Sequence, residues 1–108
     1  MANSFTSYLN KDVPTTGATI VTAGAGTQTT VIGLSCSNTS GSNITADVYI
    51  TRSGVDYYLV KNVSVPVGGS LVVVGGDQKV VLNASDILKV KASANTSMDV
   101  VTSALVIS

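Results

Sequence analysis

Residues 43–51, which read NITADVYIT, decide the fold class of this chain. Apolar and polar side chains alternate along the whole stretch. One face carries Ile44, Ala46, Val48 and Ile50, and the other carries Thr45, Asp47, Tyr49 and Thr51. This repeat is that of a β-strand with one face in a hydrophobic core and the other in solvent. The stretch therefore predicts a half-buried β-strand.

Several further segments of the same kind follow one another, separated by Gly, Asn, Ser and Pro. The predicted strands are residues 18–23, 27–37, 43–51, 57–63, 70–74, 78–82, 86–93 and 98–107. No segment has the apolar spacing of an amphipathic helix. About eight short strands with turns between them are typical of an all-β domain, a single antiparallel β-sandwich or jelly roll. We assign this domain to residues 17–108.

Residues 1–16 differ from the rest and are predicted to form an extended N-terminal arm. Phe5, Tyr8 and Leu9 are apolar anchors scattered among Ser, Thr and Asn. One interpretation is a frayed terminus, because chain ends are often poorly ordered unless they are tied down. The other is a docking arm whose aromatic residues insert into a neighbouring subunit or close one end of the sandwich.

The composition argues against an enzyme. Among 108 residues there is no His, Glu or Trp, and Cys36 is the single cysteine. Nucleophilic, metal-assisted and acid–base catalysis draw on His, Cys and paired carboxylates. The Asp residues are spread singly, without the clustered oxygen ligands that calcium requires. We therefore predict a non-enzymatic protein with no catalytic residue, no cofactor and no metal.

Charge and hydropathy argue against two classes of partner. Charged residues make up 11% of the chain, and six basic residues balance six acidic ones. Without a basic stripe, binding to nucleic acid loses its main driving force, the release of counterions. No apolar stretch approaches the roughly 18 residues of a membrane span, and the amino terminus shows no secretory signal. We expect neither nucleic acid nor membrane as a partner, and synthesis in a host cytoplasm.

The last predicted strand is apolar on both faces. Met98, Val100, Ala104 and Val106 share one face, and Val101, Leu105 and Ile107 share the other. Residues 71–74 (LVVV) repeat this two-sided pattern. An antiparallel strand with one solvated face alternates, so a strand apolar on both faces needs cover on both. This cover comes either from the chain's own arm or from another subunit, and we favour a subunit, in a homo-oligomer or on a larger assembly. The predicted interface residues are Phe5, Tyr8, Leu9, Val101, Leu105 and Ile107.

Three polar or titratable residues have local interpretations. Cys36 continues the apolar alternation of its strand and is expected to be a small buried hydrophobe. Arg52 is expected to pair with Asp56 across the hairpin connection at residues 52–56, an exposed pair that contributes about 0–1 kcal/mol. Asp86 is interpreted as the turn residue that opens a strand.

Tyr49, Tyr57 and Tyr58 are the aromatic residues in the body of the domain. On strand faces their rings are able to stack against sugars, which makes a host-glycan contact one interpretation. Tyr is equally suited to protein interfaces because it has an apolar body and a polar tip. Both interpretations stay open at this point.

Four stretches carry a resemblance to a known group of proteins: residues 51–62 (TRSGVDYYLVKN), 65–71 (VPVGGSL), 75–82 (GGDQKVVL) and 86–90 (DILKV). In these stretches and in its pattern of strands and turns, the chain resembles small virion structural proteins of tailed bacteriophages, especially those of marine and cyanobacterial hosts (cyanophages). The resemblance implies a non-enzymatic virion component and brings no catalytic residues with it.

The expected function is therefore that of a virion structural protein. The favoured role is a capsid decoration (cement) protein that associates with itself and docks on the major capsid protein or another virion protein. The alternative is a tail, neck or fibre component, including a module that attaches to a host glycan.

Overall fold

The protein is built entirely from β-strands and turns in the part that the structure describes. The computed structural model describes residues 3–75 and 79–107. The strands are β1 (Asn3–Asn10), β2 (Ala18–Thr22), β3 (Gln28–Asn38), β4 (Ile44–Arg52), β5 (Val55–Val65), β6 (Ser70–Val74), β7 (Val80–Leu82), β8 (Ile87–Ala92) and β9 (Met98–Ile107). No helix within these residues is long and apolar enough to cross a membrane.

The strands form two antiparallel sheets. Sheet A has the order β1-β9-β3-β6, with the short β7 also paired to β3, and sheet B has the order β2-β8-β4-β5. The pairs β1–β9, β2–β8, β3–β6 and β4–β5 are nested, as in one long hairpin rolled up on itself. This nesting is the arrangement of a jelly roll, a double-sheet architecture. The predicted all-β sandwich is confirmed.

The hydrophobic core lies between the two sheets and is filled mainly by Val and Leu. β-Branched residues suit a pleated, half-buried surface, which explains why a sequence so rich in Val and Thr forms strands. The largest side chains shielded from solvent are Val13, Val21, Val31, Leu34, Val48, Val65, Val74, Leu82, Leu88, Val90, Met98 and Val100. Ile44, Ala46 and Val48 face this core, as the alternation in residues 43–51 predicts.

The β4–β5 connection is a two-residue hairpin. Arg52 lies opposite Val55, and the two residues between them, Ser53 and Gly54, have φ values of 53° and 77°. Positive φ at both central positions defines the type I′ turn, whose twist matches that of the flanking strands. The predicted hairpin connection at residues 52–56 is thus present.

The first strand lies within the segment predicted as an arm. β1 pairs with β9 along its whole length, from Asn3 opposite Ile107 to Asn10 opposite Val100. Tyr8 packs against the core, whereas Phe5 and Leu9 are exposed. Sequence periodicity does not reveal this strand because neither of its faces is consistently apolar. The described part of the segment is an edge strand of sheet A.

Thr102 on β9 has a buried hydroxyl with no hydrogen-bond partner among the described residues. A buried polar group without a partner costs roughly 1–3 kcal/mol. We therefore expect Thr102→Val to raise the free energy of unfolding by about 1 kcal/mol, measured by chemical denaturation. Thr102→Ser keeps the hydroxyl and removes a buried methyl group, so it is expected to be less stable than the wild type. A valine variant less stable than the wild type contradicts this prediction.

Candidate docking face

The outer face of sheet A, which points away from the core, carries apolar side chains interspersed with hydroxyl and amide groups. We define the docking face as the outward side chains of Phe5, Leu9, Val72, Val81, Val101 and Leu105. Phe5 is 79% exposed, Leu9 73%, Val72 66% and Val101 49%. Leu105 is half-buried between its neighbours on the sheet.

The strand register aligns this docking face in two cross-strand rows. One row runs from Phe5 through Leu105 and Thr30 to Val81. The second row is Leu9, Val101, Ser35 and Val72. Each row places one hydroxyl among three apolar side chains. Directly opposed side chains on neighbouring strands are in contact distance. In each row the first two side chains therefore form an apolar pair, and the hydroxyl separates this pair from the third apolar side chain.

Charge is segregated between the two sheets. Asp99 is the one charged residue in the five strands of sheet A. It lies near one end of β9, where its carboxylate accepts the backbone N–H of Asp12 (3.0 Å) and lies 3.6 Å from Lys11 Nζ. Sheet B carries Asp47, Arg52, Asp56, Lys61, Lys89 and Lys91 on its strands. The docking face therefore contains no charge that a partner would have to desolvate.

The predicted interface residues do not all lie on this face. Four of the six lie on it: Phe5, Leu9, Val101 and Leu105. Ile107 is half-buried at the end of β9, opposite Asn3 and Gln28. Tyr8 points the other way and packs against the core. Its role here is to hold β1 against the sandwich.

Sequence reasoning missed part of the docking face. Val81 was assigned no role, although β7 places it beside Thr30. Ile32 lies in a register shift between β3 and β9, and lines a groove of about 270 Å³ together with Phe5, Ser7 and Ser103. The two-sided pattern of residues 71–74 predicted that both faces of this strand need cover, but it did not single out Val72. Val81 lies in a strand of three residues, which is too short to show a pattern.

The predicted glycan residues divide between two faces. The rings of Tyr49 and Tyr58 are 5.0 Å apart on the outer face of sheet B, and Lys61 Nζ lies 4.7 Å from the centre of the Tyr58 ring. Tyr49 is only 7% exposed, although the alternation in residues 43–51 predicts it to be outward and solvated. Tyr57 pairs with Ile50 and lies on the opposite face of β5 from Tyr58.

Arg52 pairs with Asp86, so the predicted pairing with Asp56 is wrong. Its Nε and Nη2 atoms donate to the two Asp86 carboxylate oxygens at 2.8 and 2.6 Å, while Asp56 accepts a hydrogen bond from Thr51 Oγ1. Asp86 is buried and also accepts the backbone N–H of Asn83 at 2.8 Å. The Arg52 hydrogen bond holds the Asp86 pKa below its ordinary value of 3.8, against the opposing effect of burial. The pair ties the β4–β5 hairpin to the turn before β8, so its role is structural.

Cys36 is buried on the inner face of β3, as predicted. Burial raises its pKa to about 12, so the reactive thiolate is scarce at neutral pH. We expect Cys36 not to react with a thiol reagent in the folded protein and to react at once when the protein is unfolded. Ser64→Cys adds a thiol at an exposed position of sheet B and is expected to label readily. Rapid labelling of native Cys36 contradicts this prediction.

The remaining chemistry of the surface is sparse. Within residues 3–75 and 79–107, no three metal-ligating side chains come together. A polar depression of about 130 Å³ on sheet B is lined by Thr45, Asp47, Asn62, Lys91, Ala92 and Ser93. The Asp47 carboxylate in this depression already accepts the backbone N–H of Asn62 at 2.7 Å.

Comparison with known proteins gives one structural likeness to report. No protein-family model matches the sequence, and no curated protein matches it. Among solved structures, the chain is similar to a pentameric capsid protein isolated from metagenomic phage sequences, with a TM-score of 0.42 and 22% sequence identity. The match covers 93% of this chain and 60% of the capsid protein.

Proposed function

We propose that this protein is a non-enzymatic virion structural protein, a capsid decoration protein that associates with itself and docks on the shell. The observation that carries the proposal is the uncharged apolar docking face on sheet A. Phe5, Leu9, Val72 and Val101 remain about half to four-fifths exposed in the single chain.

Binding through this face is favourable because it buries apolar surface at little electrostatic cost. Full burial of a Val, Leu or Phe side chain contributes about 1.5–3 kcal/mol. Burial of charged groups would oppose this gain, but the two rows of the docking face contain none. Contiguous exposed apolar patches on soluble proteins mark interaction sites. The hydroxyl groups of Thr30 and Ser35, one within each row, offer a partner adaptable hydrogen bonds.

Two further observations are consistent with a virion role. The jelly-roll architecture occurs in viral capsid domains, and the sequence resembles small structural proteins of tailed phages. A fold does not determine function. For that reason the proposal rests on the docking face and uses the fold only as context.

The test compares virus particles with and without the protein. A decoration protein that binds only the assembled shell stabilises it by about 2.7 kcal/mol per site at 100-fold excess over Kd. Particles that lack the protein are expected to lose resistance to heat and osmotic shock, and purified wild-type particles should contain it in numbers comparable to the major capsid protein. Equal resistance with and without it contradicts decoration.

The second candidate is a tail, neck or fibre component that contacts a host glycan. The cluster of Tyr49, Tyr58 and Lys61 beside the polar depression of sheet B favours it. The two candidates predict different copy numbers, because a tail or fibre part is present in a handful of copies per particle. Tyr58→Ala should abolish host adsorption under the second candidate and leave it unchanged under the first.

A further inference from the structure

We propose that β1 is an exchangeable strand, which pairs with β9 of a second copy of this chain in the oligomer. This inference rests on the self-association in the proposed function and specifies how the copies join. The binding surface is the edge of β9, and the partner segment is residues 3–10 of the neighbouring molecule.

The first argument is how little holds β1 to its own molecule. Its eight residues pair with β9 in unbroken register, but Tyr8 is its one apolar side chain packed against the core. The backbone ladder and the Tyr8 contact are reproduced in full when an identical strand comes from another copy. Exchange of an identical element between protomers is therefore a low-cost route to an oligomer.

The second argument is the connection that follows β1. Asp12 has a φ of 53°, a left-handed conformation that Asp adopts more readily than most residues and that bends the chain sharply. Immediately after it, the chain is anchored, because Val13 is fully buried and donates its N–H to the Met98 carbonyl at 2.8 Å. The contacts that hold the bend are the exposed Asp99 interactions with Asp12 N–H and Lys11. Extending residues 11–12 breaks these exposed contacts and directs β1 away from its own β9.

The third argument concerns the edge of β9 that β1 covers. Without β1, it becomes an edge strand with unpaired backbone groups and with Val101 and Leu105 uncovered on its side, which is a template for pairing with another chain. Phe5 and Leu9 of an incoming β1 lie opposite Leu105 and Val101 in the observed register. A second copy supplies both the backbone partners and the apolar side chains.

Mixed cysteine variants distinguish exchange from simple packing. Thr6 and Ala104 are opposite each other on the inward face of the β1–β9 pair, so cysteines at these positions on two different molecules meet only when the strand is exchanged. Thr6→Cys and Ala104→Cys chains of different mass are unfolded, mixed in equal amounts, refolded and oxidised. Native Cys36 is retained because it is buried opposite Val100, away from Ala104.

If the strand is exchanged, disulfide-linked dimers that contain one chain of each kind should form. For random mixing of the two chains, these dimers should approach about half of the protein. A second mixture, for comparison with the first, combines Ser7→Cys with Ser103→Cys, which are opposite each other on the outward face. These cysteines are able to form a disulfide between molecules whenever two docking faces stack. The control mixture combines Thr6→Cys with Ser64→Cys on sheet B and should give no such pair. Tyr8→Cys with Thr102→Cys is a second inward pair should Ala104→Cys fail to fold.

The outcomes separate the two proposals. Inward linkage between copies supports exchange. Outward linkage alone, or an oligomer by light scattering with no inward linkage, overturns exchange and leaves self-association intact. A monomer at all micromolar concentrations removes the self-association itself and overturns both.

Discussion

Replacing Arg52 with methionine is expected to lower the free energy of unfolding at neutral pH, and by clearly more than an ordinary surface substitution does. The change removes both guanidinium hydrogen bonds to Asp86 and leaves a buried carboxylate with the Asn83 N–H as its remaining observed donor. An uncompensated buried charge is the costly consequence of breaking such a pair. Chemical denaturation followed by circular dichroism measures the difference.

The same variant has a defined pH dependence. Since the Asp86 pKa is lowered in the folded protein, the unfolded state binds more protons between the two pKa values. The ionised Asp86 carboxylate therefore stabilises the folded protein fully at pH values above the pKa of this group in the unfolded chain. The stabilisation is lost as the pH falls through the lower pKa that Asp86 has in the folded protein. Arg52→Met removes the main cause of the lowered pKa. The difference between wild type and variant should be largest at neutral pH and shrink below about pH 4.

Lys91→Met is the matched control, since it also removes one cation from an exposed position on sheet B. An exposed surface substitution usually changes stability by less than about 0.5 kcal/mol. A deficit for Arg52→Met that is equally small, or that is the same at every pH, contradicts the structural role of the Arg52–Asp86 pair.

Replacing both Phe5 and Leu9 with serine is expected to weaken self-association by roughly 100-fold or more. Each side chain contributes about 1.5–3 kcal/mol when fully buried at an interface, and a factor of ten in Kd corresponds to about 1.4 kcal/mol. The stability of the single chain should change little because both side chains are already exposed in it. Sedimentation equilibrium over a range of micromolar concentrations measures the association constant.

Val55→Ser with Tyr57→Ser is the control for this double variant. These residues are comparably large and half-exposed, but they lie on the β4–β5 hairpin of sheet B. The control protein should associate like the wild type. An unchanged association constant for the Phe5 and Leu9 variant, or an equal loss in the control, argues against the docking face as the site of self-association.

Part of the candidate site was predictable from local sequence. Val101 and Leu105 were identified because their strand is apolar on both faces. The same pattern in residues 71–74 indicated a covered strand without singling out Val72. Val81 was not identified, because a three-residue strand is too short to show a pattern. The rows that join these residues are formed by register between strands distant in sequence. No local pattern records that register.

Local sequence accounts for the all-β class, most of the strands, the β4–β5 hairpin and the burial of Cys36. These features follow from alternation between neighbouring residues and from the backbone freedom of Gly54, which act within a few positions along the chain. Three features arise only from packing between distant segments: β1 is an edge strand, Arg52 meets Asp86 at a separation of 34 residues, and the strands of sheet A carry Asp99 as their one charged residue. Each of these depends on which strands become neighbours when the core closes, and that choice minimises the exposed apolar surface of the whole chain rather than of any one segment.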